Sequence, residues 1–180
     1  MREPTIAKNY AEALLDLAQK DGDLAKWGRL IDQVAEAMQG DVKLFTFLQS
    51  PRIAAPEKNR ILAQALEGQV PTPFLRFLQA LVRNRRQMLI PQVAAEFHSL
   101  VDVVENRVHA AVTVAKATSD ADQKLIADRL TKIVGKQVVP HFYVNPAIIG
   151  GLVVRVGDTV LDGSVRKRLA TLKSRMLGRA

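Results

Sequence analysis

The hydrophobic period of this chain changes once, near Asn106, and that change limits the fold more than any motif does. Before it, apolar residues recur at intervals of three and four, the spacing that lines one face of an α-helix. After it, "VHAAVTV" alternates, with Val108, Ala110, Val112 and Val114 on one side, which is the period of a half-buried strand. One switch of period predicts two units: an N-terminal six-helix bundle over residues 1–105 and a small C-terminal α/β domain over residues 106–180. Charge divides at the same place. Residues 1–105 carry 13 basic and 13 acidic side chains, whereas residues 106–180 carry 13 and 5, so the whole net charge of +8 lies in the second segment. A lopsided charge of this kind suits an acidic partner surface: a protein, a nucleic acid or an anionic membrane.

Punctuation divides the first segment into helices. Pro4 suits a first helical position, Gly22 separates two periodic runs, and Gly40-Asp41 separates the next. "SPRIAAPEK" ends one helix and starts another at Pro56. In "GQVPTP", Thr72 is the expected N-cap and Pro73 the first helical residue. The chain breaks again near Asn84, and a last helix runs to about Asn106. That makes six helices, the third one short.

The widths of their apolar faces differ. In the second helix Leu24, Trp27, Leu30, Ile31, Val34, Ala35 and Met38 span an arc of about 140°, enough for one buried face. The last helix behaves alike through Leu89, Val93, Phe97, Leu100, Val101 and Val104. The first helix carries two stripes, one through Ile6, Tyr10, Ala13, Leu14 and Leu17 and one through Ala7, Ala11, Leu15 and Ala18, together about 200°. The fifth is similarly broad, with only Arg76, Gln79 and Arg83 as a polar edge. Either these two helices are central in the bundle, or they share an outer groove that receives a partner helix.

In the second segment Ser119 and Asp122 form a capping box with Asp in the usual Glu position, ahead of Leu125, Ile126, Leu130, Ile133 and Val134, and Gly135 closes that helix. "QVVPHFYV" reads as a second strand, Asn145-Pro146 as a turn and "IIGGLVVRV" as a third strand. Gly157-Asp158 turns the chain once more, and Asp162-Gly163-Ser164 leads into a final helix. On that helix Val165, Leu169, Leu172 and Met176 recur at helical spacing and are expected to pack on the strands. Arg166, Lys167, Lys173 and Arg175 occupy other faces, with Arg168 and Arg179 adding charge.

Little here supports catalysis. There is no cysteine, so thiolate metal sites and thiol redox chemistry are excluded, and His98, His109 and His141 form no metal-binding pair in sequence. Neither G-x-x-x-x-G-K-[ST] nor G-x-G-x-x-G occurs, and no cofactor is implied. Gly150-Gly151 instead suits close backbone approach or a bulge. Asp158 and Asp162 sit where turns and caps favour Asp, and no base stands beside Ser119 or Ser164 in sequence. No apolar run reaches the roughly 18 residues needed to cross a bilayer, and Glu3, Glu12 and Asp16 argue against a signal or transit peptide. The simplest reading is a soluble bacterial cytoplasmic protein. A basic nucleic-acid-binding protein is the alternative, resting on the +8 charge and on "RNRR" at Arg83 to Arg86. Against it, no exposed-type aromatics interleave with the basic residues, and there is no RNA-recognition motif or zinc finger.

"IIGGLVVRVGDTVLDGSVRKRLATLKSRML" closely resembles the C-terminal signature of the F-type ATP synthase delta subunits, the family that includes oligomycin-sensitivity-conferring protein. The matching positions are Gly150, Gly151, Arg155, Gly157, Asp158, Asp162, Gly163, Ser164, Val165, Arg166 and Leu169. "AKNYAEALLDLA" is similar to that family's opening helix, with Tyr10 and Ala13 in place, and "FLRFLQALVRNRRQMLIP" to its fifth helix and the turn after it. The resemblance implies a non-catalytic stator subunit with no cofactor, metal or small-molecule substrate. Its N-terminal bundle would bind N-terminal helices of the alpha subunits, and its C-terminal domain the end of the membrane-anchored b-subunit stalk. It implies a peripheral place on the cytoplasmic face of the bacterial plasma membrane. On this reading Tyr10, Ala13, Leu14, Leu78 and Val82 line the groove for an alpha-subunit helix, and Arg166, Lys167, Lys173 and Arg175 face the stalk.

Overall fold

The computed structural model describes residues 3–176, with side chains from residue 5 onward. The chain divides into two compact units between Val101 and Asp102. The first consists of α1 (Glu3–Asp21), α2 (Leu24–Gly40), α3 (Val42–Gln49), α4 (Ala55–Leu66), α5 (Thr72–Arg83), a 3-10 turn at Gln87–Leu89, and α6 (Ile90–Val104), which runs past the dividing point. Asp23 and Asp41 start α2 and α3 by accepting backbone N–H bonds, from Lys26 at 2.8 Å and Lys43 at 2.7 Å. Thr72 is not a cap: α5 begins at Thr72 itself, Pro71 occupies the cap position, and no side chain caps the helix. Proline in the first turn compensates, since its missing N–H would have had no helical partner.

The core of this unit is one cluster in which Trp27, Phe74, Phe97, Leu14, Ile31 and Leu81 are fully covered. Trp27 meets Phe74 edge-on with ring centroids 5.7 Å apart, and its indole N–H donates to Asp21 Oδ2 at 3.0 Å. One charged group is also inside. The Lys58 ammonium donates to the carbonyls of Leu48 and Ser50, both at 2.7 Å, at the C-terminal end of α3. These are carbonyls that a helix end leaves without backbone partners, so the cation ties α4 to the end of α3. Burial, and then the nearby Arg85, hold the Lys58 pKa below the ordinary lysine value.

The second unit is a four-stranded sheet in the order β2-β1-β3-β4, built from β1 (Arg107–Val114), β2 (Gln137–Val144), β3 (Leu152–Val156) and β4 (Thr159–Asp162). β1 and β2 are parallel, joined by α7 (Asp120–Val134), and β1, β3 and β4 pair antiparallel. Pro140 is tolerated because β2 is an edge strand. Ser119 caps α7 by accepting the Asp122 N–H at 3.2 Å, and its hydroxyl donates to the Asp122 carboxylate at 2.7 Å. Gly135 ends α7 at a φ of 72°, in the left-handed region. Ala110, Val112, Val114, Leu130, Val138 and Val154 form the core. Of the expected apolar face of α7, Leu125 and Ile133 are exposed.

Two expectations fail at the end of the chain. The third strand does not begin at Ile148: a 3-10 turn occupies Pro146–Ile148, and β3 starts only at Leu152. The final helix, α8 (Val165–Met176), does not lay its apolar stripe on the strands, because Leu169, Leu172 and Met176 are 52%, 55% and 86% exposed. The start of α8 is nevertheless firmly held. Gly151 has a φ of +77°, and a Cβ there would stand 2.4 Å from the carbonyl oxygen of Gly163.

Gly151→Ala therefore combines a disfavoured backbone angle with a clash against another backbone. It is expected to lower the stability of the second unit by about 2–4 kcal/mol. Gly150→Ala would meet only a methyl of Val165, at 3.2 Å, and should cost clearly less. Urea unfolding of both variants, followed by amide NMR signals of β1 and β3, checks the order. In the first unit Lys58→Met leaves the Ser50 carbonyl without the Lys58 donor and is expected to cost about 1–3 kcal/mol, read from Trp27 fluorescence during unfolding.

Candidate docking surfaces

The five residues expected to line one groove separate into two groups. Leu14, Leu78 and Val82 are core residues, 0%, 1% and 2% exposed, whereas Tyr10 is half-buried and Ala13 is exposed. Central burial thus accounts for much of the excess width of α1 and α5. Ala7, Ala11 and Ala18 on α1 are buried with Leu14 and Leu15, their small side chains allowing neighbouring helices to come close. What remains at the surface is the other stripe of α1: Ile6, Tyr10 and Leu17 half-buried, with Ala13 exposed between them. Tyr10 marks the seam with α5. Its ring meets Phe77 edge-on, centroids 6.3 Å apart, and its hydroxyl accepts from Asn84 Nδ2 at 3.0 Å. Periodicity missed Phe77 and Asn84 as partners of Tyr10, since they lie more than 60 residues away and nothing local encodes the pairing.

Leu78 and Val82 also line a cavity of about 260 Å³ on another side of the unit, together with Leu30, Val34, Leu62 and Leu66. The sequence pattern did not outline it, because its lining is shared among several helices and no single periodic run traces it.

In the second unit the signature residues do converge. The Val165 amide donates to the Gly150 carbonyl at 2.9 Å, and the Gly163 amide to the Leu152 carbonyl at 3.0 Å, which joins the start of α8 to the start of β3. Asp162 Oδ1 accepts from the Ser164 amide at 2.9 Å, and that bond is the main reason its carboxyl sits below the usual carboxylate range. Ser164, buried, accepts from the Lys167 amide at 3.1 Å and so caps α8. Arg155 Nε donates to the Gly157 carbonyl at 3.2 Å, bracing the β3–β4 turn in which Asp158 lies. Asp158 and Asp162 are thus turn and cap residues.

The four stalk-facing candidates are all exposed, but they do not share a face. At 100° per residue Arg166 and Lys173 border the apolar stripe on one side and Arg175 on the other, while Lys167 points roughly opposite to it. Arg179 lies outside the described residues.

The histidines are less scattered than their numbering implies. Pairing of β1 with β2 stacks His109 on His141, with Nδ1 3.0 Å from Nε2, and His109 Nε2 lies 2.9 Å from Asp102. His98 contacts Asp32 at 2.8 Å. Among the described residues no group of three His, Cys, Asp or Glu side chains is arranged to hold a metal ion.

Comparison with known proteins agrees with a helical N-terminal region followed by a small α/β domain. The family model described as ATP synthase delta (OSCP) subunit matches residues 6–176. The chain is 58% identical over 174 residues to the ATP synthase subunit delta of Gemmatimonas aurantiaca, covering 97% of this chain and 94% of that one. It is 35% identical over 179 residues to its counterpart in Desulforamulus reducens, covering 99% of each. Among solved structures, a chain of the Toxoplasma gondii mitochondrial ATP synthase hexamer, seen by cryo-electron microscopy, superposes with a TM-score of 0.57 at 26% identity, covering 95% of this chain and 97% of that one. These relatives give no support to the nucleic-acid alternative. The matched residues run through both units, from the first helix to the end of the last, and the chain belongs to the ATP synthase delta (OSCP) subunit family.

Proposed function

We propose that this chain is the joint between the catalytic head of ATP synthase and its membrane-anchored stalk. The chain is a peripheral-stalk subunit of that complex, and the observation that carries the reading is the unbroken family match over residues 6–176. No described helix is long and apolar enough to cross a membrane, which agrees with a peripheral position on the complex. On this reading the subunit catalyses nothing. Torque from the rotating central shaft would turn the head as well, unless a tie to the stator holds it. A tie of this kind needs slow dissociation, which burial of amphipathic partner surfaces supplies without any reactive side chain.

The first unit is assigned to the alpha subunits and the second to the end of the b-subunit stalk. Supporting the first assignment is the half-open α1 stripe of Ile6, Tyr10, Ala13 and Leu17 beside α5, an apolar strip of the kind an amphipathic partner helix can cover. Leu14, Leu78 and Val82, expected in the seat itself, are buried instead and are not available to a partner helix. Supporting the second assignment is α8, whose apolar stripe is uncovered and whose borders carry Arg166, Lys173 and Arg175. The location proposed with it is the cytoplasmic face of the bacterial plasma membrane, reached through the complex.

The seat on α1 is tested by substitution at its exposed centre. Ala13→Asp should leave unfolding of the first unit unchanged while weakening binding to a delta-depleted catalytic head by about tenfold or more, equivalent to 1.4 kcal/mol. Leu14→Asp, one residue further on, should instead unfold the unit, because it buries an unpaired carboxylate. Titration of the head with each variant, followed by Trp27 fluorescence, separates the two. Unaltered binding by Ala13→Asp would place the seat elsewhere.

A further inference from the structure

We infer that α8 is one strand of a short heterotypic coiled coil whose partner is an acidic amphipathic helix. The inference rests on the assignment of the second unit to the stalk and specifies the chemistry of that contact. Val165, Leu169, Leu172 and Met176 are separated by four, three and four residues. That is the d-a-d-a spacing of a heptad seam, and on a helix it makes a stripe only about 60° wide. The residues beside such a seam, at the e and g positions, are Arg166 and Lys173 on one flank and Arg168 and Arg175 on the other. All four are basic, and residues 165–176 contain no acidic residue. Lys167 occupies the outermost position, away from the seam.

The structure leaves this seam open. Val165 is partly covered at the base of the helix, where its amide bonds Gly150, but Leu169, Leu172 and Met176 are exposed and α8 has no buried residue. Among the described residues none of the four flanking cations makes a salt bridge. Next to the base, Ile149 is held at a φ of +69°, an unusual angle for a β-branched residue, with its side chain 63% exposed. Such strain in an exposed apolar residue is what a binding surface retains.

Charge complementarity selects the occupant. A second copy of α8 would bring four cations on each helix against four like charges, which disfavours self-pairing. A partner with apolar a and d residues and Glu or Asp at e and g satisfies the seam and both flanks together. A lipid surface would fit less well, since interfacial helices present a broad apolar face and this stripe is narrow.

The test titrates the full chain with two synthetic helical peptides, both with Leu at a and d, one with Glu and one with Lys at e and g. Phosphatidylglycerol vesicles are titrated in parallel. The acidic peptide should bind saturably and the basic one should not. Arg168→Glu with Arg175→Glu, and separately Arg166→Glu with Lys173→Glu, should each weaken acidic-peptide binding by about tenfold or more. Lys167→Glu should leave it within about twofold, and reversal of all four flanking charges should transfer binding to the basic peptide. Equal binding of the two peptides, equal loss in Lys167→Glu, or binding to vesicles alone would overturn the coiled-coil assignment. The same variants are then added to ATP synthase depleted of its own delta subunit. If wild type and every variant, including Leu169→Asp with Leu172→Asp, join the stalk equally well, the α8 inference fails and the stator role stands. If wild type itself does not join, the stator role fails.

Discussion

The close passage of two backbone segments, residues 150–152 and 163–165, holds the C-terminal unit in its working shape. Two hydrogen bonds cross between them, and at Gly151 the gap is too small for any side chain. Through this contact the first turn of α8 is joined to the start of β3, so the helix can project with its side chains uncovered and still have a defined direction. Ser164 and Asp162 reinforce the same point, one capping the helix and the other bonding the amide at its entry. A helix that projects with its length uncovered needs rigidity at its base, and here glycine backbone supplies it.

The N-terminal unit solves a similar problem by other means. Its surface strip on α1 is narrow because much of the helix's apolar surface is committed to the core, with alanines on one stripe and Leu14 between the two. Tyr10 closes the strip toward α5 through Phe77 and Asn84, a contact that fixes the ring and presents an apolar face with one polar end. Lys58 does comparable work elsewhere in the unit, its buried ammonium joining α4 to the C-terminal end of α3. Both units thus leave one helix face incompletely covered, which is the property a connector requires and which an enzyme concentrates instead in a cleft.

Much of this was legible in the residues. The change of period at Asn106 separated helical from mixed structure, and Gly135, Asp41 and Ser119 marked helix ends correctly, because caps act through neighbours in sequence. The signature from Gly150 to Leu169 carried the family. β4 was missed: its four residues are all exposed, so burial imposes no alternation on them. The uncovered strip on α1 was only partly legible, since a helix that is apolar over 200° reads the same whether the second face meets core or solvent.

By itself, the sequence determined the order of the helices and of the first three strands, the change from helical to mixed structure, the charge of the second unit and the heptad spacing of α8, each of them written in the chain without reference to distant contacts. Tertiary structure alone decided which apolar stripes are covered. Leu14 and Leu78 disappear into the core, while Leu169 and Leu172 stay exposed, although all four recur at the same helical intervals. The same holds for His109 on His141 and for Asn84 on Tyr10. The physical reason is that burial depends on what a distant segment brings to a face, and a periodic pattern records only that the face exists.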